Sequence, residues 1–246
     1  MRSEALRGEL SRRAALAREP RPEGVRGPPP RMLWAEISSL ASRRRRLVPP
    51  AILADRPQPV MLLPGFGSHP RRLRPLHGAL EAAGHVVTDW GLGFNFGPTP
   101  HNFRALLGNI ERFADDHGAP VALIGWSLGG LFAREAAKLR SSSISRVITM
   151  GTPFSGDRHA NNAWRAYQFV TGHSVDAPPV PDDFATKPPV PTLALWSPRD
   201  GVVAPRAACG RKGERDRAIA MRCTHLGFAR DPAVIAEVLI ELDRVD

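Results

Sequence analysis

From Gln58 onward, short apolar runs alternate with stretches of helical periodicity, the pattern of parallel strands joined by crossover helices. The predicted strands are 60–63, 85–89, 121–125, 146–150, 192–196 and 218–222. Several are apolar throughout, as strands covered on both faces by helices must be. Thr99 is placed to cap a helix with Pro100 at its first position, and Phe103, Leu106, Leu107, Ile110 and Phe113 follow along one face. Asp231-Pro232 opens the last helix in the same way, with Val234, Ile235, Val238 and Leu239 turned inward. The pattern predicts an α/β domain over 58–246, built on a mostly parallel sheet of about six strands flanked by helices. Residues 155–190 interrupt it. This insertion carries a predicted helix near 161–170 and a Pro-rich return, and a connection of that length in a compact domain is usually a cap or binding loop.

The first 57 residues follow different rules. Residues 1–30 are rich in Arg, Pro, Glu and Gly and offer little apolar surface to offset the cost of ordering, so they are expected to be a disordered arm. Residues 31–57 read as a helix and linker. Leu33, Ile37, Leu40 and Ala41 share a helical face over 31–46, and the cluster Arg43 to Arg46 stands where the macrodipole favours cations. With Trp34, that helix suits either the surface of the domain or weak contact with an anionic membrane surface.

Composition narrows the function classes. The net charge is +10, but residues 1–50 hold 12 Arg against 5 Glu, so the basic excess belongs mostly to the N-terminal arm and the body is nearly balanced. The arm lacks the interleaved aromatics of a single-strand binder, and no nucleic-acid partner is expected. No apolar run approaches the length of a membrane span. Ser11-Arg12-Arg13 resembles the start of a twin-arginine signal, but Arg18-Glu19-Pro20 ends the apolar run that would follow. A cytoplasmic address is therefore expected, with export or peripheral membrane attachment left open. Cys209 and Cys223 read as two free thiols, though a bridge between them stays open.

Chemistry concentrates at Gly125-Trp126-Ser127-Leu128-Gly129, a G-x-S-x-G sequence running directly out of a predicted strand and into a helix predicted over 128–139. This is the context of a nucleophile elbow, in which a sharp turn lifts a serine clear of the sheet. A serine hydroxyl needs a base to take its proton, and that base needs an acid to hold its tautomer. Of the eight histidines only His159, His173 and His225 follow Ser127, and the first two lie in the insertion. His225 stands just past the last strand and Asp200 just past the fifth, giving the order Ser, acid, His. Asp157 is the next acid to consider. Pro64-Gly65-Phe66-Gly67 follows the first strand, so the backbone N–H groups of Phe66 and Leu128 are the candidate donors to a tetrahedral oxyanion.

These residues, with Gly151-Thr152-Pro153-Phe154, Asp200-Gly201-Val202-Val203 and His225-Leu226-Gly227-Phe228, resemble the α/β-hydrolase superfamily, close to bacterial esterase and lipase-like members. The resemblance spans about residues 58–246. It implies a serine hydrolase of carboxylic esters with Ser127 as nucleophile, His225 as base, Asp200 as orienter, no cofactor and no metal, and the insertion as a cap. Two departures stand out. Pro64-Gly65 replaces the His-Gly of many lipases, and the usual N-terminal antiparallel hairpin is hard to find in the pattern.

Trp126 beside the nucleophile, Phe94 in the loop after the second strand and Phe154 are the expected substrate-binding residues, facing a small-molecule or lipid ester. Two alternatives remain at this stage: an acyltransferase using the same triad, and a non-catalytic binding protein on a hydrolase fold. Acyl-chain length and oligomeric state are left open.

Overall fold

The computed structural model describes residues 2–41 and 52–245. Its centre is a six-stranded sheet: β1 (Pro59–Leu63), β2 (Val86–Asp89), β3 (Val121–Trp126), β4 (Ile144–Met150), β5 (Thr192–Trp196) and β6 (Arg217–Ala220). The order across the sheet is β2-β1-β3-β4-β5-β6, and every pairing is parallel. The chain builds outward from β1 to one edge, returns, and builds outward from β3 to the other. Direction therefore reverses between β1 and β3, and a crevice opens there at the carboxyl ends of the strands.

Strand periodicity sorts the core into two layers. In β1, Val60 and Leu62 face one side and Met61 and Leu63 the other, all fully buried. The first side is covered by α3 (Arg74–Ala82) and α8 (Pro232–Leu242), which contribute Leu76, Leu80, Val234, Ile235, Val238 and Leu239. The second is covered by α4 (Pro100–His117) and α5 (Leu128–Leu139), through Phe103, Leu106, Ile110, Phe132 and Ala136. Each fully buried Leu or Ile contributes about 1.5–3 kcal/mol, and this core dominates the stability of the domain.

Local signals set the helix limits. Thr99 accepts from the Asn102 N–H while the Asn102 side chain accepts from the Thr99 N–H, a capping box that starts α4 behind Pro100. Gly118, at φ 60°, ends it in the left-handed conformation. The insertion contains α6 (Trp164–Thr171), three residues shorter at its start than expected. Asn161 instead forms a bridge with Val203, and its side chain accepts from the Ala163 N–H.

The N-terminal segment departs most from expectation. Residues 2–18 form α1 (Arg2–Arg18), a helix rather than a disordered arm. It has no apolar stripe and leaves Leu6 and Leu10 exposed. It docks through hydrogen bonds: Arg12 donates to the Gly172 carbonyl at 2.7 Å and Arg13 to that of Val170 at 2.6 Å, while the Gln168 amide donates to the Leu16 carbonyl at 2.6 Å. The arginines thus satisfy the open carbonyls at the C-terminal end of α6, where cations are favoured. After the Pro-rich turn comes α2 (Pro30–Ala41), on which Leu33 and Trp34 are exposed and Glu36 is buried. The cluster Arg43 to Arg46 lies outside the described residues. Among the described residues no helix is long and apolar enough to cross a membrane.

Candidate functional site

Ser127 follows β3 directly and caps α5 with φ 53° and ψ −121°, the one left-handed φ at a non-glycine position among the described residues. Such strain persists only where the surroundings over-determine it. Its N–H donates to the Met150 carbonyl at 2.8 Å, and its carbonyl accepts from the Gly130 N–H at 3.0 Å. Close packing beneath the turn explains the glycines: a Cβ on Gly129 would stand 2.3 Å from the Leu63 carbonyl oxygen. Opposite, the loop after β1 comes so near that a Cβ on Gly65 would lie 3.2 Å from the Ser127 Cβ. Ser127 therefore occupies the crevice where strand order reverses.

Asp200 and His225 meet at the same end of the sheet. The His225 Nδ1–H donates to Asp200 Oδ2 at 2.8 Å, and both side chains are buried. Since an ionised carboxylate only accepts, the bond assigns the proton to Nδ1 and leaves Nε2 as an acceptor. The other oxygen, Asp200 Oδ1, accepts the N–H groups of Val202 and Val203, each at 2.8 Å, so the carboxylate is held from both ends. Burial opposes charging of the imidazole, but the charge and hydrogen bond of Asp200, with the charge of Glu36, outweigh it and push His225 above the ordinary imidazole value. Gly151, at φ 57°, leaves the room this pair needs, because a Cβ there would sit 3.0 Å from Asp200 Oδ2 and 3.1 Å from His225 Nδ1.

Asp157 is engaged elsewhere. It pairs with His159 Nδ1 at 3.0 Å inside the insertion, where the His159 ring packs edge-on against Trp164.

A cavity of about 100 Å³ opens on Ser127. Phe66 and Leu128 line it beside the serine, and Leu131, Trp164, Tyr167 and Phe184 make it predominantly apolar. It follows α5 from Ser127 to Glu135, eight residues or about 12 Å of helix. Glu135 and Arg158 stand in the wall already paired, with Lys138 and Asp182 respectively, each at 2.7 Å.

None of the three residues expected to bind substrate lines this cavity. Trp126 is buried behind the elbow, where its Nε1–H donates to the His225 carbonyl at 3.1 Å. Phe94 stacks on Phe96 and is 54% exposed. Phe154 is buried under the Arg134 guanidinium, 4.2 Å from the ring centre. The walls of this cavity come mainly from α5 and the insertion, which folds back over the serine.

Two positioning residues carry no signature in the chain. Asn95 is fully buried, donates to the Pro64 carbonyl at 2.8 Å, and through its backbone carbonyl holds the Gly67 N–H at 2.7 Å. It thereby fixes the loop that bears Phe66. Arg134, on the buried face of α5, donates to the carbonyls of Phe184, Ala185, Thr186 and Glu214. Burial brings its guanidinium down to about 10, and the bonds strap the return of the insertion to the domain. Cys209 and Cys223 are both free thiols.

No protein-family model matches the chain, and no curated protein matches it. Its structure is similar to that of one of the metagenome-derived lipolytic enzymes LipS and LipT, at TM-score 0.56 and 14% identity, over 80% of this chain and 99% of that one. It is also similar to a Mycobacterium tuberculosis protein described as a non-heme bromoperoxidase (0.54, 15%, 76% and 92%) and to naproxen esterase from Bacillus subtilis (0.51, 16%, 79% and 86%). Sheet order, crossover helices and these likenesses together define the α/β-hydrolase fold. Among the described residues its sheet is wholly parallel and carries no antiparallel hairpin.

Proposed function

We propose that the protein is a serine hydrolase of carboxylic esters acting through an acyl-enzyme on Ser127. The observation that carries this reading is the combination of a strained serine at the mouth of an apolar cavity with a buried Asp200–His225 pair bonded at 2.8 Å. Ser127 Oγ attacks the ester carbonyl and passes its proton to His225 Nε2. The oxyanion is received by the N–H groups of Phe66 and Leu128, the latter at the positive end of α5. Collapse expels the alcohol, which takes the proton from His225. Water then attacks the acyl carbonyl by the same route in reverse and releases the acid.

The apolar lining suits the acyl group of a small-molecule or lipid ester, and the two charged side chains in the wall, Glu135 and Arg158, are already paired with Lys138 and Asp182. The naming of neighbours as lipolytic enzymes and an esterase is consistent with this choice. The test is labelling of wild type and Ser127→Ala with a fluorophosphonate, followed by p-nitrophenyl esters of increasing length. Labelling and turnover confined to wild type support the reading. A folded wild type that neither labels nor turns over any ester rejects it.

A further inference from the structure

The helix α2 precedes the hydrolase domain in sequence yet reaches its candidate site. Glu36, 2% exposed, accepts the N–H of Gly201 at 2.9 Å and that of His225 at 2.6 Å through Oε1, and the N–H of Leu226 at 3.0 Å through Oε2. One carboxylate thus grips the residue after Asp200 and the backbone of His225 itself. The fit is tight. A Cβ on Gly201 would fall 2.4 Å from the Met32 carbonyl oxygen and 2.9 Å from Glu36 Cγ, so the missing side chain admits α2. Asn162 fastens the approach to α2, donating to the carbonyls of Pro28 at 3.0 Å and Gly201 at 2.9 Å.

Burying a carboxylate is costly unless several donors compensate it, and an apolar residue would staple a helix to a domain at lower cost. We propose that Glu36 is a positioning residue for the Asp200–His225 pair, fixing the backbone of both loops and setting a second negative charge beside the imidazolium formed when Ser127 gives up its proton. This role rests on the serine-hydrolase reading.

The groups around the imidazole are few. Asp200 faces it from the loop after β5 and Glu36 from α2, while the Trp126 ring, the Phe228 ring and Gly151 close other sides. Cys223, two residues earlier, is buried, and burial with the Asp231, Asp200 and Glu36 carboxylates pushes its thiol up, so it adds no charge near neutrality. Removing the Glu36 charge therefore leaves Asp200, among the described residues, to oppose the burial that disfavours charging of His225.

The test uses the full chain as wild type, Glu36→Gln and Glu36→Asp, with active sites counted by fluorophosphonate titration. In Glu36→Gln, kcat per titrated site is expected to fall about 10- to 100-fold with KM nearly unchanged. The acid limb of kcat/KM is expected to move to lower pH. Glu36→Asp keeps the charge but withdraws it by one methylene, so its limb stays at the wild-type position and its kcat falls between the other two. Wild-type kcat and limb in Glu36→Gln overturn the role, as does a loss of activity matched by loss of titratable sites. If Glu36→Gln does not fold, Glu36→Asp decides, and wild-type kcat there overturns the role. Absence of labelling in folded wild type would instead sink the hydrolase reading. An NMR titration of the His225 imidazole then still judges Glu36, because an unmoved midpoint in Glu36→Gln overturns its action on His225.

Discussion

The Thr152 hydroxyl donates to the Ser127 carbonyl across 2.9 Å, tying the segment after β4 to the strained turn after β3. The same side chain fills the space over Gly130, where a Cβ would come within 2.0 Å of its oxygen. Thr152→Val keeps the shape and removes the donor. A lost hydrogen bond of this kind costs about 1 kcal/mol, or about 2–4 °C in Tm for a domain of this size. Calorimetry is expected to show that decrease, with turnover lowered as the elbow loosens.

Asp200→Asn replaces the acceptor for the Nδ1–H with an amide that favours the wrong imidazole tautomer. Turnover is expected to fall by up to about 10⁴ in the ester assay. Asp157→Asn is the matched control. Its carboxylate is bound to His159 in the insertion, and kcat is expected to stay near wild type.

The raised His225 pKa has a sign that can be checked. The imidazole must be neutral to take the serine proton, and its charged form persists to higher pH than that of a free histidine. The acid limb of kcat/KM is therefore expected above the ordinary value of about 6.5. Stability runs the other way. A raised basic group stabilises the fold below its unfolded pKa, and that contribution is lost as pH climbs through the folded value. Urea melts across this range are expected to show the decline.

Arg134→Met removes the donors from four carbonyls while leaving the apolar volume filled. Buried groups left unsatisfied cost about 1–3 kcal/mol each when water cannot reach them. A destabilisation of about 3 kcal/mol is expected from the urea midpoint. Limited proteolysis is expected to cut first between residues 176 and 186.

Val180 lines the cavity from the insertion and is only partly buried against the core layer beneath α4 and α5, so a larger side chain there narrows the cavity. Val180→Trp is expected to shorten the preferred acyl chain. Each methylene excluded forfeits up to about 0.8 kcal/mol, so kcat/KM for the longest esters drops at least about 10-fold while the shortest are spared. A p-nitrophenyl ester series reads the profile directly.

Much of this architecture was legible in the chain. Buried parallel strands are apolar on both faces, so β3 and β5 stand out without help. Proline after Thr99 and Asp231 marks helix starts through simple backbone chemistry. The elbow was legible because tight packing leaves only glycine at Gly129. The pocket was not, since a lining depends on how residues 155–190 fold back, and periodicity has nothing to say about that path. The docking of α1 escaped for a different reason: hydrogen bonds from arginine to backbone carbonyls leave no apolar pattern. Glu36 was hidden by the same logic, because the helix face that turned inward at that point bears a charge.

The reach of α1 and α2 also has consequences for the order of assembly. Arg12 finds its acceptor 160 positions along the chain, and Glu36 finds His225 after 189. The docking of α1 must therefore wait until α6 has emerged, and that of α2 until β6 and the loop behind it have. Contacts so distant in sequence slow the final steps of folding and leave early intermediates without them. A nascent chain would hold its strands before it holds a competent His225 loop. Hydrogen exchange is expected to show the amides of α1 opening well before those of β3 and β4.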